Sequence, residues 1–217
     1  MGHIDYNDKE REASKAEPQW YGVGAKIGEL VNKWAERNDI IAYVGENAGM
    51  GLAPALFKPQ IAEIEVNSTQ AFGFGVTPNK IGDFTKKDVQ YEFPNATGAV
   101  FHEACHARYS KWNITLAHAD LKPDEFDALM LLEEGRIEAM GLIDIPAHRV
   151  FLRASAFGLV LSDFDADKVS EVGIASLVNL VGLAQARVIA GVLDAEDIEE
   201  INELIICLLY TSPSPRD

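Results

Sequence analysis

The sequence predicts an α+β fold in which a small N-terminal β region is followed by a mainly helical part. Two observations carry this. In the first third, Ile40–Val44 is a short apolar and β-branched run, and Ala62–Asn67 alternates apolar with polar residues as a half-buried strand does. From Asn95 onward, stretches of helical spacing with helix-start signals replace the strand pattern.

Taken in order, residues 1–20 form a polar arm of mixed charge that is expected to be disordered, without the basic start and apolar core of a secretory signal. Ala25–Arg37 carries Ile27, Leu30, Val31 and Trp34 on one helical face and predicts the first helix. The glycine-rich stretches Gly45–Gly51 and Phe72–Gly75 lack the Lys-Ser/Thr ending of a phosphate loop and read as turns. Asn95 or Thr97 is expected to cap a helix running to about Trp112. Pro123-Asp-Glu opens the next, with proline in the first turn and acids where the helix dipole favours them, continuing to about Gly141. Further helices are expected over Pro146–Leu161, over Val169–Leu193 and from Ala195 on. The apolar run Ile174–Leu193 is interrupted by Ser176, Asn179, Gln185 and Arg187, which favours a buried or amphipathic helix over a membrane span.

With 217 residues the chain is long enough for one domain with a sizeable core. Its 34 acidic and 19 basic residues give a formal charge of −15, so its surface should repel nucleic acid and anionic membranes. The reading is a soluble, cytoplasmic protein. The segment Cys207–Asp217 resembles one reading frame of the transposase adapter used in sequencing libraries. The natural chain is therefore expected to continue differently beyond Ile206, and Cys105 to be its one authentic cysteine, so no Cys105–Cys207 disulfide is proposed.

The chemistry centres on His102-Glu103-Ala104-Cys105-His106. Residues four apart share a helical face, so both imidazoles can direct ring nitrogens to one metal ion, with Glu103 beside them. Zinc lowers the pKa of its water toward about 7, and the glutamate takes the proton as hydroxide attacks a carbonyl. This assigns His102 and His106 as ligands and Glu103 as general base. A catalytic zinc needs a third protein ligand. Leu131–Glu138 offers Glu134, with Glu133 as the alternative; the two differ by about 100° around a helix, so only one should face the metal. Tyr109, seven residues after His102, shares the ligand face and is a candidate oxyanion donor. His118 and His148 are alternative third histidines. Cys105 points in another helical direction and reads as a small buried hydrophobe. The strand Ala62–Asn67 is a candidate for pairing with an extended peptide substrate.

The combination extends to a family context. Glu134-Gly135 with Glu138 one turn on resembles the ligand helix of gluzincins, which implies that Glu138 supports a ligand histidine. Gly98–Trp112 together with Leu132–Ala139 resembles zincin metallopeptidase-like proteins of actinobacteria and their phages. The second segment is also similar to cobaltochelatase-type subunits that carry a von Willebrand factor A domain. The resemblance spans Ala62–Leu142. It implies a zinc-dependent metallopeptidase domain over residues 21–206, a peptide or protein substrate, and a von Willebrand factor A domain C-terminal to it in the intact protein. The competing reading is a non-catalytic assembly or partner-binding protein with a structural or vestigial metal site.

Overall fold

The computed structural model describes residues 17–49, 53–111, 121–163 and 182–211. It is an α+β protein, and the first helix begins earlier than its apolar spacing alone suggests. A 3-10 turn, Pro18–Trp20, leads directly into α1, Tyr21–Ala35. The end of the expected disordered arm is thus part of the fold: Trp20 is buried and stacks on Phe72 at 6.1 Å. Residues 1–16 lie outside the described residues. Helix α1 buries Val23, Ile27, Leu30, Val31 and Trp34, and stops at Ala35 rather than Arg37 because Glu36 turns left-handed, at φ 54°.

The three strands β1 (Ile41–Gly45), β2 (Ala55–Lys58) and β3 (Glu63–Asn67) form one sheet in the order β1-β3-β2. β1 runs parallel to β3, and β2 antiparallel to it. β3 is the strand expected over Ala62–Asn67, but it is central, so both its edges are taken and it has none to offer a substrate. The edge strands are β1 and β2, of which the sequence hid β2. It has only four residues, lies between Pro54 and Pro59, and buries all its side chains, so it shows no alternation. The Asn67 amide donates to the Pro54 carbonyl. The alternation of antiparallel pairing then turns the main-chain groups of Ala55 and Phe57 to the edge of β2 away from β3.

Asn67 ends the sheet and starts the helices, its side chain accepting from the amides of Thr69 and Gln70 to cap the short α2, Ser68–Phe72. Two more short helices follow, α3 (Pro78–Ile81) and α4 (Lys87–Glu92). The central helix α5, Pro94–Tyr109, begins at its proline and not at a side-chain cap. Asn95 and Thr97 are engaged elsewhere: the Asn95 amide donates to the Gln70 carbonyl at 3.1 Å, and the Thr97 hydroxyl to those of Gln90 and Phe93. The helix ends at Tyr109, and Trp112 lies outside the described residues.

Helix α6, Pro123–Asp144, starts where its proline predicts. A 3-10 turn, Pro146–His148, then leads into α7, Arg149–Asp163. Of the helix expected over Val169–Leu193, residues 169–181 lie outside the described residues. The remainder, α8 over 182–189, ends before Leu193 in a turn in which Gly191 adopts φ 77°. The last helix, α9, spans Ala195–Thr211; residues 212–217 lie outside the described residues. No helix among the described residues is long and apolar enough to cross a membrane.

Helix α5 sits in the middle, packed against α1, α6, α7 and β2. Ala96, Val100, Phe101, Ala104, Cys105 and Ala107 put it in the core, which explains why its sequence shows no amphipathic stripe. Gly98 permits the closest approach: a Cβ there would overlap the carbonyl of Phe151 on α7. Gly135 plays the same part on α6, where a Cβ would lie 3.1 Å from the Ala186 carbonyl of α8.

Candidate metal centre

Burying α5 also buries its polar residues. His102, Glu103 and His106 are 6%, 2% and 0% exposed, so each needs a partner to offset the loss of water. Helix α6 supplies carboxylates to the two imidazoles. His102 Nε2 lies 3.0 Å from Glu134 Oε2, and His106 Nε2 lies 3.4 Å from Glu134 Oε1. The two imidazole centroids are 4.8 Å apart, with the rings nearly perpendicular at 81°. One ligating atom from each of His102, His106 and Glu134 falls within 4.8 Å of the other two.

These side chains fit a divalent cation. Ligands about 2.0–2.2 Å from a tetrahedral zinc stand roughly 3.3–3.6 Å apart, close to the spacings between Glu134 and the two rings. Charge points the same way, because three carboxylates, Glu103, Glu134 and Glu138, are buried here to 2% exposure each. Buried charges are paired or coordinate metals. Burial opposes a charge on His102, but the carboxylates of Glu134 and Glu138 outweigh it and raise its pKa to about 10. Burial likewise opposes the Glu134 charge, yet the two imidazoles hold its carboxyl well below the usual range. The buried carboxylates thus favour positive charge at this group of rings.

The far side of the His102 ring is also met from α6. Glu138 Oε1 lies 2.9 Å from His102 Nδ1 and fixes the side of that ring away from Glu134. Glu138 in turn meets Arg187 of α8, whose terminal nitrogen lies 3.3 Å from the same oxygen. Glu133 is not with the His-His-Glu group. It accepts from the Ser110 hydroxyl at 2.6 Å and is clasped by Arg136. Burial disfavours its charge, but Arg136 and Ser110 outweigh this and lower its pKa. Of the two glutamates, Glu134 is the one that lies beside both imidazoles, about 100° around the helix from Glu133.

Glu103 is held from the other side of α5: the Phe57 amide, on the edge of β2 away from β3, donates to its Oε2 at 2.9 Å. Burial raises the Glu103 carboxyl pKa. A small cleft of about 30 Å³ lined by Pro54, Ala55, Ala99, His102, Glu103, Ser155 and Arg187 lies here, its walls mostly small side chains.

The remaining candidates lie elsewhere. The Tyr109 hydroxyl donates to Asp144 at 2.6 Å and not toward the ligands, because Arg108 and Asp144 draw it to the exposed side of α5. His148 sits among Trp34, Phe101 and Phe151, apart from the His-His-Glu group. His118 lies outside the described residues. Cys105 is buried, as its helical direction predicts. Ser110, Arg187 and Phe57 are the site residues the sequence did not single out. The first follows His106 by four residues, and that spacing was the available signal; the other two come from distant segments.

No family model, curated protein or solved structure matches the chain.

Proposed function

We propose that this chain is a zinc-dependent peptidase of the zincin type, with the metal held by His102, His106 and Glu134 and with Glu103 as general base. The observation that carries this reading is the arrival of Glu134 against both ring nitrogens while another buried acid, Glu103, stands on the cleft side without joining them. A zinc ion bound there supplies Lewis acidity, polarising a carbonyl and lowering the pKa of its water to about 7.

The protein's own groups have distinct tasks. Glu103 receives a proton from the attacking water and returns it to the leaving amine, and its raised pKa brings it closer to the range such a shuttle needs. The Phe57 amide occupies Oε2, so Oε1 is the oxygen that exchanges the proton. Glu138 holds His102 in register. The outward main-chain groups of β2 at Ala55 offer an edge on which an extended peptide can lie beside the cleft.

The test is the zinc content and hydrolysis of a quenched fluorescent casein by the wild type, His102→Ala and Glu103→Gln. Expected are stoichiometric zinc in the wild type, its loss in His102→Ala, and zinc without hydrolysis in Glu103→Gln. Wild type that takes up no zinc overturns the metal site. Full hydrolysis by Glu103→Gln overturns the general base, and zinc binding without hydrolysis in wild type leaves a structural metal site.

A further inference from the structure

The two ligand histidines are supported differently. His102 meets a carboxylate directly, but His106 Nδ1 lies 3.0 Å from the hydroxyl of Ser110, the residue that follows the last turn of α5. That hydroxyl donates to Glu133 Oε1 at 2.6 Å. Both Glu133 oxygens are engaged by Arg136, from Nε at 2.6 Å and from a terminal nitrogen at 2.7 Å. Arg136 also donates to the Tyr109 carbonyl at 2.9 Å, which locks the chain of groups onto the end of α5.

Hydrogen counting gives this chain a direction. Arg136 only donates, so Glu133 only accepts. The single Ser110 proton is spent on Glu133, so toward His106 the hydroxyl oxygen accepts. His106 must then carry its proton on Nδ1, which leaves the lone pair on Nε2, the atom that faces Glu134. We infer that Ser110 and Glu133, clasped by Arg136, are positioning residues that fix the tautomer and ring orientation of His106 for metal binding. Glu133, beside the ligand Glu134 in sequence, thus serves the same metal through the other histidine. Because Arg136 balances the Glu133 charge, an acceptor is what the device needs from residue 133, not a negative charge.

This inference rests on the metal site proposed above, and the experiment separates the two. Zinc affinity is measured by competition with a chromophoric chelator, and the cobalt-substituted protein is followed by its visible absorption. Variants are Ser110→Ala, Ser110→Thr, Glu133→Leu and Glu133→Gln, each checked by the melting temperature of the metal-free protein. Removing such a support typically weakens metal binding by about 10–100-fold. Ser110→Ala and Glu133→Leu are expected to show that loss and an altered cobalt spectrum. Ser110→Thr keeps the hydroxyl and Glu133→Gln keeps an acceptor, so both should bind nearly as wild type. Unchanged affinity and spectrum in Ser110→Ala, with wild-type binding intact, overturn the inference alone. Failure of Glu133→Gln with a normal metal-free melt shows that charge is required and overturns the acceptor assignment. Wild type that binds neither metal overturns the site itself.

Discussion

The amide of Phe57 donates to the Glu103 carboxylate at 2.9 Å, so the edge of β2 away from β3 and the buried acid of α5 satisfy one another. Glutamine at 103 keeps an acceptor for that amide and removes a buried charge, whereas alanine leaves the amide without a partner. An orphaned buried donor costs about 1–3 kcal/mol. Metal-free Glu103→Gln is therefore expected to melt at or above the wild-type temperature near neutral pH, and Glu103→Ala clearly below Glu103→Gln. Equal melting of the two variants would show that the Phe57 bond contributes nothing to stability.

How much of this was legible in the sequence follows from which interactions are local. The His102–His106 pair, Glu103 and the start of α6 at Pro123 depend on helical spacing and first-turn chemistry, which a sequence displays. Which of Glu133 and Glu134 turns toward the imidazoles depends on the docking of α6 on α5, which helical spacing alone does not display. Arg187 and Phe57 reach the site from α8 and β2, and no spacing links them to the motif. β2 itself escaped because complete burial erases the alternation that marks a strand. The helix caps at Asn95 and Thr97 were misplaced for a related reason, since both side chains satisfy carbonyls beyond their own helix start and Pro94 opens the helix.

Glu138 has two partners, His102 and Arg187, and both are buried with it. Replacing it with alanine strands the Arg187 charge, and breaking a buried pair from one side costs about 3–5 kcal/mol. Urea unfolding of the metal-free protein should show a loss of that order for Glu138→Ala. The double variant Glu138→Ala/Arg187→Met should recover part of it, because no uncompensated cation remains. A double variant as unstable as the two single losses added together would mean that the pair is not coupled.

Gly98 brings α5 and α7 together at the place where Ser155 and the metal-site cleft begin. A Cβ at 98 would meet the Phe151 carbonyl, which is backbone and has no rotamer by which to withdraw. Overpacking of a core typically costs about 1–3 kcal/mol, occasionally more, and this contact belongs at the upper end. Gly98→Ala is expected to lower the urea midpoint by an amount of that order and to reduce zinc affinity, since the helices can separate only by moving the helix that carries His102. An unchanged midpoint would contradict the close packing of these helices.

His148 supplies the pH dependence. Its ring lies 4.4 Å from Phe101 and 5.0 Å from Trp34, with Phe151 on a further side. Burial, followed by the charge of Lys87, lowers its pKa to about 4. The unfolded chain titrates near the ordinary histidine value of about 6.5, so below that pH the unfolded state binds a proton that the folded state refuses. The stability linked to neutral His148 is then fully present above about pH 6.5 and is lost as the pH falls toward about 4. His148→Phe keeps a ring among the aromatic neighbours and removes the titration. Between pH 7 and pH 4, its urea midpoint should fall less steeply than that of the wild type, while buried carboxylates such as Glu134 give both proteins the same remaining slope. Parallel profiles for the two proteins would show that His148 accepts its proton in the folded state as readily as in the unfolded chain.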